Sequence, residues 1–142
     1  MTRKLNDQIS VSPQITPAQV TELAQAGFTA IINNRPDDEE PAQPAGDEIR
    51  TVAETLGLTY TAIPVTHSGF SMPQVEAMCA ALAAAEGPVL AYCRSGTRSA
   101  HLWALAEAKT GGEPEAIIAS GADAGYDLSG IRPLLDQLRP AE

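Results

Sequence analysis

Val89-Leu90-Ala91-Tyr92-Cys93-Arg94-Ser95-Gly96-Thr97-Arg98-Ser99 passes from an apolar run through a short polar loop into a helical pattern. The run Val89 to Tyr92 reads as a buried strand and Ser99 to Lys109 as a helix, so the loop sits at a strand end and a helix N-terminus. Free N–H groups of a first helical turn and the positive end of the helix dipole both favour negative charge there. They would stabilise a thiolate at Cys93, and equally an oxyanion bound above it. A free thiol is only a few per cent ionised near neutrality, so this setting supplies most of what a cysteine nucleophile needs.

Working outward, the preceding segments alternate between the two periodicities. Ile9-Ser10-Val11 reads as a short edge strand. Thr16-Pro17-Ala18-Gln19 carries a capping box with proline at the first helical position, followed by Val20, Leu23 and Ala24 at helical spacing and Gly27 as a stop. Phe28 to Asn33 is β-branched and apolar, which predicts a buried strand near the sheet centre. A long loop, Asn34-Arg35-Pro36-Asp37-Asp38-Glu39-Glu40 and on through Pro44, leaves its C-terminal end. That end of a parallel sheet is where ligands bind. Asp47 is placed to cap the next helix, with Ile49, Val52, Ala53 and Leu56 inward, and Leu58 to Val65 is the next strand. Ser71 caps a helix with Val75, Met78, Cys79 and Leu82 on its inner face.

After the cysteine loop, Leu102, Trp103 and Ala106 form the buried stripe of the helix. Glu113 to Leu138 carries two helical patterns and no strand. Strands alternating with helices predict a three-layer α/β domain: a mostly parallel sheet of four to five strands covered on both faces.

At 142 residues the chain fits one domain, with a core expected over about residues 9–138. Nine basic against eighteen acidic residues give a net charge of −9, which argues against nucleic acid or an anionic membrane as partner. Attraction for a small anion must then be local, and Arg94 and Arg98 are its source. No apolar segment follows the basic pair Arg3-Lys4, and no run approaches membrane-spanning length, so a cytoplasmic location with reduced cysteines is expected. Two cysteines and two histidines form no metal-ligand spacing, and neither metal nor cofactor is called for.

Cys93 to Ser99 is similar to two cysteine-loop families. Tyrosine and dual-specificity phosphatases carry Cys-x5-Arg-Ser/Thr, whereas Cys93 and Arg98 have one residue fewer between them. Tyr92-Cys93-Arg94-Ser95-Gly96-Thr97-Arg98-Ser99 is also close to a bacterial rhodanese-like sulfurtransferase loop. The Asp-Val-Arg and Gly-His-Ile-Pro-Gly-Ala elements of a rhodanese are absent. Instead Ile31 to Glu40, the cysteine loop and Ala124-Gly125-Tyr126-Asp127-Leu128 together resemble the beta-lactamase-hydrolase-like, phosphatase-like domain family, over about Ile15 to Leu138.

That resemblance implies a fold like that of dual-specificity phosphatases. Cys93 would attack phosphorus to form a phosphocysteine, and Arg98 would bind equatorial oxygens as a bidentate fork, a geometry that suits arginine better than lysine. Backbone amides from Arg94 through Ser95, Gly96 and Thr97 to Arg98 would line the cradle, with Gly96 permitting the turn. Ser99 would hydrogen-bond the sulfur as it leaves. The fold usually places an acidic aspartate some thirty residues before the cysteine, but Ile63-Pro64-Val65-Thr66-His67-Ser68 holds no carboxylate. Asp37 or Asp38 is then the candidate general acid, and His67 a weaker one.

Each feature has a plainer reading. Cys93 as an inert buried thiol fits poorly with two arginines and a helix start beside it. Cys79 reads as core and Trp103 as packing. Asp37 and Asp38 belong to an acidic run, usually a solvated face, and Arg35 either lines the site or salt-bridges that run. His101 reads as surface on its helix. Phosphomonoester cleavage leads, with a small anionic or phosphorylated substrate. Sulfur transfer through a Cys93 persulfide, and a non-catalytic anion- or phosphopeptide-binding module, stand as alternatives.

Overall fold

The computed structural model describes residues 2–66 and 68–140. At its centre β5 (Val89–Tyr92) is buried along its whole length, as an uninterrupted apolar strand covered on both faces should be. It lies between β2 (Ile9–Ser12) and β3 (Ala30–Asn33), both parallel to it, with Ile9 and Ala30 each opposite Val89. Beyond β3, β4 (Thr59–Ala62) extends the sheet in parallel. At the other edge β1 (Arg3–Lys4) runs antiparallel to β2, giving the order β1-β2-β5-β3-β4.

The expected mostly parallel sheet is therefore present, with adjustments. β3 lies beside the central strand β5, near the centre as expected, whereas β2 is an interior strand instead of an edge. The true edge, β1, is two charged and exposed residues, too short to leave a pattern in sequence. β4 stops at Ala62, although the Ile63 and Val65 N–H groups still donate to Asn33 O and Asn34 O, each at 2.9 Å. Pro64, between them, has no N–H to give.

Helices cover both faces. α1 (Pro17–Gln25) starts with the predicted reciprocal cap: Gln19 N–H donates to Thr16 Oγ1 at 3.2 Å, and Thr16 N–H to Gln19 Oε1 at 2.9 Å. α2 (Gly46–Thr55) is not capped by Asp47, because that residue lies inside the first turn. The cap comes from nine residues upstream, where Asp37 Oδ1 accepts the Gly46 N–H at 2.8 Å. Leu56, expected inward, follows the last turn of α2 and is 41% exposed. α3 (Met72–Ala84) begins after Ser71, whose N–H donates to Gln74 Oε1 at 2.8 Å. α4 (Thr97–Lys109) begins two residues earlier than the sequence pattern suggests, directly out of Gly96. The tail is helical as expected: α5 (Pro114–Asp123), a 3-10 turn at Ser129–Ile131 and α6 (Arg132–Leu138).

Strand alternation divides the core in two. Ile31, Leu90 and Tyr92 face Val20, Leu23, Ile49 and Ala53 of α1 and α2. Ile32, Val89 and Ala91 face Val75, Met78, Leu102 and Trp103 of α3 and α4, over which Ile117 and Leu135 of the tail close. Leu102, Trp103, Leu105 and four alanines of α4 are buried, so this helix is gripped between sheet and tail. Each large side chain so buried contributes about 1.5–3 kcal/mol. α4 is thus the most firmly held helix and its N-terminus the most firmly placed. No helix among the described residues is long and apolar enough to cross a membrane.

Candidate active site

The C-terminal ends of β2, β5, β3 and β4 open at one edge of the sheet, and the chain laces them together just past the ladder. Cys93 N–H donates to Ser12 O at 3.4 Å, and Gln14 N–H to Arg94 O at 3.3 Å. Asn34 N–H reaches Tyr92 O at 2.8 Å, and Asn34 Nδ2 reaches Ile63 O at 2.9 Å. Asn33 Oδ1 receives the Arg35 N–H at 2.9 Å. Short amides at the strand end thus replace ladder bonds and fix where the loops begin.

Cys93 is fully buried at the base of the cysteine loop. Its Sγ accepts the Gly96 N–H at 3.1 Å, the bond expected of a loop folded around the sulfur. Gly96 has φ of +92°, a left-handed conformation natural only to glycine. A methyl group there would also collide with the Tyr126 hydroxyl. Tyr126 comes from the segment between α5 and the 3-10 turn, and its hydroxyl donates to Ser95 O at 3.3 Å. The tail therefore props the loop from outside. Ser95 Oγ donates to Thr97 Oγ1 at 3.0 Å and receives the Thr97 N–H at 3.4 Å, closing the turn into α4. Ser99, one turn along, is fully buried with its Oγ unpartnered, a state that costs free energy unless a partner arrives.

Arg98 projects its guanidinium over the loop mouth. Nη1 donates to Val65 O at 2.6 Å, anchoring it to the segment after β4. One edge of the guanidinium, Nη1 and Nη2, grips a carboxylate: Nη1 donates to Glu39 Oε2 at 2.7 Å and Nη2 to Glu39 Oε1 at 2.8 Å. Glu39 was not among the residues expected at the site. Arg35 is 4% exposed and organises the acidic run beneath. Its Nε donates to Glu39 Oε1 at 2.9 Å, its Nη2 to Glu40 Oε1 at 2.7 Å and its Nη1 to Gln14 Oε1 at 3.1 Å. Arg35 thus salt-bridges the acidic run, as one of its two readings has it. Exposed Arg94 pairs with Glu40 at 3.1 Å.

The charges follow. Hydrogen bonding from Arg98 holds the Glu39 carboxyl down at about 2, against an upward push from burial and with Arg35 adding to the depression. Arg98 is raised in turn, chiefly by Glu39, with Cys93 adding to the effect.

The expected acids, Asp37 and Asp38, have other contacts and settings. Asp37 is occupied in capping α2, and Asp38 is exposed on a turn with φ of +64°. The carboxylate bound to Arg98 is that of the next residue, Glu39. His67 lies outside the described residues. His101 is half-buried, its Nδ1 2.8 Å from Thr97 O and its ring stacked on Phe70 at 6.1 Å. Cys79 is half-buried, its Sγ 3.7 Å from Ala106 O, where α3 packs on α4. Among the described residues no cluster of His, Cys, Asp and Glu could hold a metal ion.

Comparison with known proteins agrees with this architecture. Beta-lactamase hydrolase-like proteins of Xylella fastidiosa and Agrobacterium fabrum are each 36% identical to this chain, over 87% and 88% of its length. The chain spans 29% of those relatives, less than a third of their length. A candidate phosphatase from Neisseria meningitidis superimposes with a TM-score of 0.83 at 38% identity, covering 96% of this chain and 97% of that one. Two more distant structures share the fold. Tk-PTP in its active form has a TM-score of 0.75 at 18% identity, with 96% and 95% covered. TpbA of P. aeruginosa, in complex with phosphotyrosine, has a TM-score of 0.61 at 17% identity, with 95% and 90% covered. Residues 2–110 match the family described as beta-lactamase hydrolase-like protein, phosphatase-like domain, and the chain belongs to that family.

Proposed function

We propose that this chain is a cysteine-dependent hydrolase of phosphomonoesters, acting through a phosphocysteine at Cys93 with Arg98 binding the phosphoryl oxygens. The observation that carries the reading is the state of the Arg98 fork. It already grips an oxyanion group in bidentate fashion, the Glu39 carboxylate at 2.7 and 2.8 Å, above a loop whose amide is aimed at Cys93 Sγ. Two oxygens of a phosphoryl group present the fork with a similar bidentate face.

In this reading Gly96 N–H, Arg98 and the start of α4 stabilise charge that moves from sulfur to the phosphoryl oxygens and back. Such preorganised donors need no reorganisation during the step. Ser99 Oγ, buried without a partner, is available to donate to the sulfur when the S–P bond breaks. Arg94, Ser95 and Thr97 line the exposed rim of the cradle and meet the remainder of the substrate. The phosphotyrosine held by TpbA, a neighbour in fold, makes an aryl phosphate the natural first probe.

Turnover of an aryl phosphate by the wild type, abolished in Cys93→Ser, is the expected result. Equal rates in the two would remove the basis for the proposal.

A sulfurtransferase reading keeps one specific support, the spacing of Cys93 and Arg98, which is one residue shorter than the phosphatase loop. It expects a persulfide on Cys93 after treatment with thiosulfate. No such adduct is expected in the phosphatase reading.

A further inference from the structure

The two ends of the sheet differ in polarity. At the C-terminal ends of the strands α4 begins, its N-terminus at the cysteine loop. At the opposite end, where β2 and β5 start, α3 and α4 both finish, and a helix C-terminus favours positive charge. There a cavity of about 360 Å³ opens between Leu82 and Ala83 of α3 and Ala106, Glu107 and Thr110 at the end of α4, with Cys79 on its wall. We propose that this cavity binds a linear aliphatic diamine or polyamine, one ammonium group pairing with Glu107, at a site separate from Cys93 and independent of the chemistry there.

The polar atoms around the cavity suit a cation. Glu107 supplies a half-buried carboxylate. Thr110 Oγ1 donates to Ala106 O and Glu107 O, each at 3.1 Å, which turns its lone pairs to any donor that enters. Burial pushes the Glu107 carboxyl up from its ordinary value, and the Trp103 indole N–H beside it pulls back only in part. The ionised form therefore wants a counter-charge, which an ammonium in the cavity supplies. Burial also pushes the Cys79 thiol up; Lys109 opposes the rise and the Glu107 charge adds to it, so the sulfur is a neutral neighbour. Lys109 is not part of the cavity wall.

A second hollow sets the length and valence of the ligand. It measures about 390 Å³, shares Gln8 and Ala85 with the first, and is bounded by Asp7 and Glu86. Gln8 Nε2 donates to Leu82 O at 2.7 Å, which fixes the shared wall. Asp7 is paired with Lys4 at 3.3 Å, so Glu86 is the carboxylate that meets a second charge. Between Glu107 and Glu86 the surface is made by the hydrocarbon of Leu82, Ala83 and Ala85, which a bare methylene chain covers favourably. A divalent metal ion fits poorly, because one carboxylate supplies too few oxygen ligands.

Calorimetry on the full chain with putrescine and cadaverine, at matched ionic strength, is expected to show saturable binding, and butylamine, with its single charge, to bind about threefold more weakly. Trp103 is the sole tryptophan, so its indole N–H gives a single signal in a heteronuclear correlation spectrum. That signal should move with the midpoint found by calorimetry. Glu107→Gln should weaken cadaverine by about tenfold or more. Glu86→Gln should weaken it by about two- to fivefold. Glu48→Gln, exposed on the first turn of α2, should leave it unchanged. All three variants change the net charge of −9 equally, so general attraction of a polycation to an acidic chain would weaken binding alike in each. Ala83→Leu narrows the cavity from its exposed side without touching a charge, and should cost as much as Glu107→Gln; it decides the matter should the Gln variant not fold. No saturable binding, a Trp103 signal that stays in place, or equal losses in Glu107→Gln and Glu48→Gln would overturn the site. Butylamine bound as tightly as cadaverine, or full affinity in Glu86→Gln, would overturn the assignment to a diamine.

Discussion

Replacing Gly96 by alanine puts the geometry of the cradle to a quantitative test. The backbone at Gly96 sits at φ of +92°, where an L-residue costs about 1–2 kcal/mol. The new methyl also meets the Tyr126 hydroxyl, and the ring Cζ lies only 3.1 Å from the same point. The hydroxyl is the tip of a side chain that can pivot, so relief comes from swinging Tyr126 aside. That movement gives up the hydrogen bond to Ser95 O, worth about 0.5–1.5 kcal/mol. The two contributions together predict a loss of about 1.5–3.5 kcal/mol, or several degrees in melting temperature for a chain of this size. Tyr126→Phe removes the hydroxyl first. In that background Gly96→Ala should cost little more than the backbone amount, leaving a coupling of about 1 kcal/mol between the sites. Urea unfolding of the four proteins measures it through shifts in midpoint at constant slope. A Gly96→Ala variant within about 0.5 kcal/mol of wild type, or strictly additive effects, would refute the prop between tail and loop.

Asp37 and Glu39 give two further tests. Asn caps a helix as well as Asp, so Asp37→Asn should leave stability within about 0.5 kcal/mol, while Asp37→Ala should lose about 1 kcal/mol in thermal or urea unfolding. If Asp37→Asn instead abolished turnover of a poor leaving group at unchanged stability, Asp37 would be the acid. Glu39 makes stability depend on pH. Its carboxyl falls from 4.5 to about 2 on folding, so the unfolded chain binds the proton more readily. Its contribution is therefore complete above the unfolded value and is lost as pH falls from about 5 towards 2. Glu39→Gln should flatten the stability curve in that acid window, measured as urea midpoints at stepped pH, and an unchanged slope would contradict the pairing with Arg98.

What could be read from the sequence was what neighbouring residues decide. Val89 to Tyr92, the turn at Gly96 and the helix after it signal themselves within about a dozen positions, and the structure has all three, the helix starting two residues early. The cap at Thr16 is local in the same way. Glu39 is not legible in the sequence because its partner Arg98 lies 59 positions on, and nothing within an acidic run says which member turns inward. The cap made by Asp37 is hidden for the same reason: a carboxylate that caps a helix nine residues away leaves no capping box at the helix start. Tyr126 stood in a recognisable motif, but its contact with Gly96 exists only because the tail folds back across α4. β1 escaped notice because two exposed charged residues pair by backbone alone.

The most direct test of the central claim is the covalent species on Cys93. The protein is mixed with an aryl phosphate, quenched in acid within a single turnover, digested and weighed by mass spectrometry. A phosphoryl group on the peptide containing Cys93, absent from Cys93→Ser, is the predicted result. An unmodified Cys93 at every quench time, together with one added sulfur after thiosulfate, would contradict it.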